Sequence, residues 1–399
     1  MSETLYAQGT LVNSQTNVTA NGYILMDQTD RGPYLIPSTA NAAVIQQWIQ
    51  KTVNSYGKPF WCSNITYTAT SGPTTPYTGG VLIPDGRIIY DPSGSTNIGT
   101  YNIYTNTFTS LLAGTLPGGN AYLGIALAPD GRVIFVPNSA TNVGIFNPVT
   151  NSFTTMSTGV STGYGFGAVL AGDGRIVFAP FGGTSIGVFN PATNLFTSYA
   201  SGASGLVVAG YQGCVLCTDG RVVFVPSNAT NVGTFNPNTN SFLTYAYSGS
   251  VPQGSGAYFG GVLIPDGRIV FVSQNAQNVG IFNPLTNTFI TTAYSGTPGV
   301  TIPGGSGAYQ GGCLLPDGTV LFNSQNATNL GIFNPTTNTF STFAAGGASL
   351  GANAYQGALV VPDGRVILVS VSSNKVGIIS GENRPVPPEF CLHPFFNKL

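Results

Sequence analysis

Charged side chains are scarce in this chain: they make up 6% of 399 residues, against a usual share of about 25%, and the formal net charge is −1. Binding nucleic acid requires clustered cations to neutralise phosphates. No Lys/Arg run is present, which excludes a nucleic-acid partner and, for the same reason, an anionic membrane surface. Histidine occurs once, as His393. A Ser/His/Asp or Cys/His device would have to use that residue beside Phe395 and Phe396, in a stretch expected to pack as an apolar tail. The five cysteines (Cys62, Cys214, Cys217, Cys313, Cys391) are odd in number and far apart, which argues against a disulfide framework. Cys214 and Cys217 spell C-x-x-C on an expected strand, where an odd offset sends the two thiols to opposite faces, so no metal site is expected there. No apolar run reaches about 18 residues, and the opening stretch lacks the basic start and apolar core of a secretory signal, so a soluble, leaderless chain is expected.

What is present is glycine, the small polar residues and aromatics: 54 Gly, 24 Phe and 19 Tyr, with 42% hydrophobic residues. This composition provides for a core and is not that of a disordered chain. Asp-Gly pairs begin at Asp85, Asp130, Asp173, Asp219, Asp266, Asp317 and Asp363. A glycine precedes each Asp by six positions, from Gly79 to Gly357, and in the first six copies a phenylalanine follows it by 23, from Phe108 to Phe340. A period in the forties with four apolar runs per unit is the pattern of propeller blades.

Each copy reads as four short strands, exemplified by GGVLI, RIVFV, NVGIFN and NTFITT. Asp-Gly suits a tight hairpin between the first two, and N-P-x-T-N makes the turn between the last two. The seventh copy breaks off after KVGIIS, where Pro385, Pro387 and Pro388 forbid a strand. The stretch 63–69 resembles 240–246, with Ile65 in the place of Phe242, and is expected to supply the missing fourth strand. The expected fold is all-β: a seven-bladed propeller of four-stranded antiparallel blades spanning 59–380, closed by an N-terminal strand. It would be flanked by a non-repeat segment, 1–58, and a Pro/Phe-rich tail, 381–399.

The pattern PDGRV…VGIFNPxTNxF resembles the kelch-type repeat, found also in the central propeller of galactose-oxidase-like proteins, and extends over residues 77–379. The resemblance implies a kelch-like seven-bladed propeller. Two features depart from it: the Gly-Gly doublet after the second strand is replaced by VPN, VSQ or NSQ, and the fourth-strand Trp is Phe. The copper chemistry of galactose oxidases needs two histidines with two tyrosines, and one histidine excludes it.

Of the 25 charged side chains, 13 lie in the repeated turns: the seven Asp above with Arg87, Arg132, Arg175, Arg221, Arg268 and Arg365, the sixth copy having Thr319 instead. Their uniformity marks a structural ring, since an active site must break the symmetry of the copies. A calcium site at the axis would need converging carboxylates, and the innermost strands offer none. No cofactor is expected. Tyrosines recur eight positions before the Asp, at Tyr77, Tyr122, Tyr211, Tyr258, Tyr309 and Tyr355, with Tyr164 one place early. They are read either as packing between blades or as a stacking surface for sugars or a partner's side chains at the channel mouth. The residues next to them vary (Thr78, Leu123, Gln212, Phe259, Gln310, Gln356), unlike seven equal lectin sites. The longest connections, 245–258 and 291–309, place a candidate recognition face around Tyr247 and Tyr294.

The stretch STANAAVIQQWIQKTV reads as a short capped helix whose apolar side, including Val44, Ile45, Trp48 and Ile49, is a candidate anchor. Together these features point to a non-enzymatic structural or interaction protein, a surface component of a virus or phage particle whose partners are other proteins of that assembly. A charge-poor surface is nearly indifferent to salt and pH, which suits a particle outside a cell. The alternative is a lectin-like, glycan-binding propeller; a virion location is favoured over the cytoplasm.

Overall fold

The computed structural model describes residues 23–28, 32–37, 66–72, 76–111, 116, 118–159, 163–200, 206, 209–247, 256–293, 307–343 and 353–380. Seven four-stranded antiparallel sheets follow one another along the chain as the blades of a β-propeller. Blade 2 is typical. Its strands run Tyr122–Leu127, Val133–Pro137, Asn142–Asn147 and Ser152–Ser157, each paired with its predecessor. The first strand of every blade but the third is buried along nearly its whole length and lies nearest the axis, whereas the fourth is largely exposed. That gradient follows the sequence: continuous apolar runs inside, Thr/Ser/Asn alternating with single aromatics outside.

Closure is as the sequence leads one to expect. Thr66–Ser71 pairs antiparallel with Lys375–Ser380 and completes the sheet of blade 7. The register corrects one detail: Tyr67, not Ile65, lies opposite Ile379, the place that Phe242 takes opposite Phe235 in blade 4. The expected alignment was thus two residues out. A separate two-stranded hairpin, Tyr23–Gln28 with Gly32–Pro37, lies in the non-repeat N-terminal region and was not anticipated. The helix expected around Val44, Ile45, Trp48 and Ile49, the residue Tyr294 and the tail with His393 lie outside the described residues.

The Asp-Gly turn is a three-residue loop. In blade 1 the Gly86 amide bonds Ile83 O and the Ile83 amide bonds Arg87 O, with Gly86 at φ 85°. A type I turn followed by a left-handed residue requires this geometry, and glycine takes it without strain. Each Arg after the turn holds its own Asp and also reaches the next blade. Arg87 donates to Pro148 O and Asn151 Oδ1, and Arg221 to Pro284 O at 2.6 Å and Asn287 Oδ1 at 2.9 Å. Arg365 closes the circle from blade 7 to blade 1 at Ile103 O and Asn106 Oδ1. The exception, Thr319, now has a reason. Blade 7 takes its fourth strand from the N-terminus, so no Asn-Pro turn joins its third and fourth strands to receive an arginine from blade 6.

Candidate functional site

The recurrent tyrosines are core residues. Tyr77, Tyr122, Tyr211, Tyr258, Tyr309 and Tyr355 are all at most 1% exposed. In blade 2 the Tyr122 ring meets Phe135 and Phe153 at centroid distances of 6.0 Å. The three rings surround Gly144, where an added Cβ would lie 3.0 Å from Phe153 and 3.1 Å from Phe135. The same glycine recurs in every third strand, a signal of ring packing that the sequence carries openly. Hydroxyls are satisfied within the blade: Tyr122, Tyr258 and Tyr309 donate to Asn142, Asn278 and Asn329 Oδ1 at 2.5 Å, and Tyr211 donates to Asn231. Burial raises the pKa of these four phenols, so they stay neutral. With their faces covered they offer no stacking surface at the channel mouth, and the phenylalanine rings they meet belong to their own blade. Tyr247 is partly buried. Its ring lies 4.6 Å from that of Phe289 in the next blade and its hydroxyl donates to Ala229 O at 3.1 Å.

The positions that do face the axis are those seven before each Asp, directly after these tyrosines except in blade 3, where Phe166 stands two residues after Tyr164. A bulge in the innermost strand, between Tyr122 and Ile125 in blade 2 and at the matching place in blades 4 to 7, turns this residue out of the ladder. Phe166 of blade 3 and Phe259 of blade 5 show where it points, since their rings meet at 5.2 Å although blade 4 stands between them. One layer deeper, the glycines six positions before each Asp bring neighbouring innermost strands together backbone to backbone. A Cβ on Gly124 would lie 2.6 Å from Gly167 N, and one on Gly311 2.9 Å from Gly357 Cα. Only glycine permits that approach.

The ring of side chains at this axial mouth is two-sided. Leu123, Phe166 and Phe259, on blades 2, 3 and 5, make an apolar arc, extended by Phe181 packed edge-on against Phe166 at 5.1 Å. Gln310, Gln356 and Thr78, on the contiguous blades 6, 7 and 1, make a polar arc. Gln212, on blade 4, accepts a bond from Ser227 at 2.8 Å. Among the described residues the side-chain amides of Gln310 and Gln356 make no hydrogen bond, although each residue is only 6% exposed. The described side-chain atoms that are buried without a partner are others: Tyr90 Oη, Asn97 Oδ1, Gln274 Oε1, Asp317 Oδ2 and Asn323 Oδ1. Native interiors seldom leave such groups unpaired.

Asp91 is the residue that the sequence reading missed. It sits six positions after Asp85, where the other copies have Val136, Ala179, Val225, Val272, Asn323 and Val369. An acid among those aliphatics was the available signal. It is fully buried, and its carboxylate accepts from Thr78 N (2.8 Å), Thr78 Oγ1 (2.8 Å), Gly79 N (2.8 Å) and Gly124 N (2.7 Å), tying blade 1 to blade 2 beneath Thr78. Loss of hydration on burial outweighs these bonds and raises its pKa to about 6. No cluster of three or more His, Cys, Asp or Glu side chains suited to a metal occurs among the described residues. Cys214 and Cys217 are both buried, the former with its sulfur 3.9 Å from Val177 O of the preceding blade.

No protein-family model matches the sequence, and no curated protein matches it. The fold is similar to many solved structures. A streptogramin B lyase structure has 17% identity and a TM-score of 0.65, covering 82% of this chain and 100% of that one. The RRP9 WD40 repeats have 13% identity and a TM-score of 0.58, covering 82% and 99%. A fungal alcohol oxidase of the AA5 family, in complex with copper, has 15% identity and a TM-score of 0.59, covering 79% and 76%. Enzymes and WD40 repeats alike share the shape, so the likeness shows a propeller and does not single out the kelch type.

Proposed function

We propose that this chain is a non-enzymatic interaction protein, a rigid platform within a larger assembly. The observation that carries the reading is where the departures from sevenfold repetition gather. The charged residues of the turns are spent on holding blades together through Arg–Asp pairs and their bonds to the next blade. The variable side chains converge instead on the axial mouth, and they are amides, a threonine, a leucine and phenylalanines. Neutral side chains of these types bind, and the one hydroxyl among them, that of Thr78, is held by the fully buried Asp91 as part of the seam between blades 1 and 2. The surface favours a permanent place in a particle, because a chain with 6% charged residues has little colloidal protection when free. A virus or phage particle remains the assembly that fits best.

The test is cryo-microscopy of the native source, with a chain lacking residues 1–55 supplied in parallel. Intact protein is expected on the particle, and the truncated chain is expected to fold without joining it. Free intact protein, or a truncated chain that incorporates normally, would overturn the assignment.

A further inference from the structure

The two unpartnered amides at the axial mouth call for an explanation. Gln310 and Gln356 are each more than nine-tenths buried and make no hydrogen bond among the described residues. Their amide atoms are not among the buried side-chain atoms that lack a partner, so the small surface each residue keeps exposed leaves its amide open to solvent at the mouth. The same position carries leucine in blade 2 and phenylalanine in blades 3 and 5, so the scaffold accepts an apolar residue there. The amides are therefore not needed for folding, and their unused donors and acceptors lie open to a ligand.

The chemistry of the ring narrows that ligand. Each amide offers two N–H donors and a carbonyl acceptor, and the two stand on adjacent blades. A matching group must present several donors and acceptors side by side. Phe259, on blade 5 beside Gln310, and Phe166, on blade 3, bring their rings together at 5.2 Å and ask for an apolar face on the same small unit. The variable ring contains no Lys, Arg, Asp or Glu, so nothing selects for charge. The carboxylate below, Asp91, is occupied by four bonds from protein groups. A single protein side chain does not satisfy this pattern: tyrosine brings one hydroxyl, and glutamine brings no apolar face. A pyranose ring does, with vicinal hydroxyls at its edge and C–H groups on its face.

We propose that the axial mouth binds the neutral pyranose end of a glycan, its hydroxyls bonded by the amides of Gln310 and Gln356 and its apolar face set against Phe166 and Phe259. This deepens the reading of the chain as a binding protein and rests on it. One site per propeller is implied, at the axis, in place of seven sites at the tyrosines.

The test uses the full chain with the methyl glycosides of glucose, galactose, mannose and N-acetylglucosamine and neutral oligosaccharides ending in them. Saturation-transfer NMR and titration give the affinity. At least one neutral sugar is expected to bind, and Gln310→Leu with Gln356→Leu to weaken it about tenfold, the loss of about one net neutral hydrogen bond's free energy or slightly more. Because leucine is native at the matching place in blade 2, the double variant is expected to melt at the same temperature as the parent or higher. Phe259→Ala should weaken binding as well. Failure of every neutral sugar to bind would overturn the proposal, as would equal affinity in the double variant or binding confined to acidic sugars or to peptides. Particle incorporation of the double variant separates the two readings: it is expected to be normal, since the mouth is not the attachment surface.

Discussion

Asp91 makes a measurable claim about the seam between blades 1 and 2. Its pKa is raised from 3.8 to about 6 because burial strips the carboxylate of water. The folded state therefore holds a proton more tightly than the unfolded chain. Between pH 4 and pH 6 the native protein binds more protons, so stability is greatest at the acid end and falls as pH rises through this window. The displacement corresponds to about 3 kcal/mol, an upper value because the bonds from Thr78, Gly79 and Gly124 relax with the proton. The assay is urea unfolding of wild type and Asp91→Asn at intervals from pH 4 to pH 7. The other carboxylates are common to both proteins, so the difference between the two curves isolates Asp91. The wild type should lose stability relative to Asp91→Asn as pH rises from 4 to 6, with the difference level above. Parallel curves, or a wild type that gains on the variant through this window, would refute the reasoning.

Other expectations follow from single contacts. Gly131 lies at φ 83° with no atom within 4 Å of an added Cβ, so Gly131→Val tests backbone strain alone and should cost about 1–3 kcal/mol in chemical denaturation. Gly144→Ala forces a methyl between Phe135 and Phe153 and should lower stability by about 1–3 kcal/mol. Arg221→Ala removes the bonds to Pro284 O, Asn287 and the Tyr245 hydroxyl and should cost about 1–2 kcal/mol, whereas Thr319→Ala should cost less, which paired melting curves would decide. Deleting residues 1–70 strips the partner of Lys375–Ser380 and should leave an aggregating, less cooperative protein, seen as a broadened transition with light scattering.

The propeller was legible in the sequence because its determinants are local. Asp-Gly must turn, four apolar runs per 43 to 51 residues must pair with their neighbours, and the prolines after Ser380 must send the last blade to the N-terminus for a strand. Those features depend on φ preferences and on alternation along a few residues, so the chain itself states them. The direction of the tyrosines was not legible. Periodicity placed them at the start of the innermost strand, but the bulge beside them and the third-strand glycine opposite decide that Tyr258 turns into its blade while Phe259 turns toward the axis. The reach of Arg221 to Pro284, the absence of such a link at Thr319 and the four bonds to Asp91 also depend on the next blade. What the sequence determined by itself was the repeat and its closure. The tertiary structure alone decided which side chains meet at the axis, because residues about 45 apart become neighbours only when the ring closes.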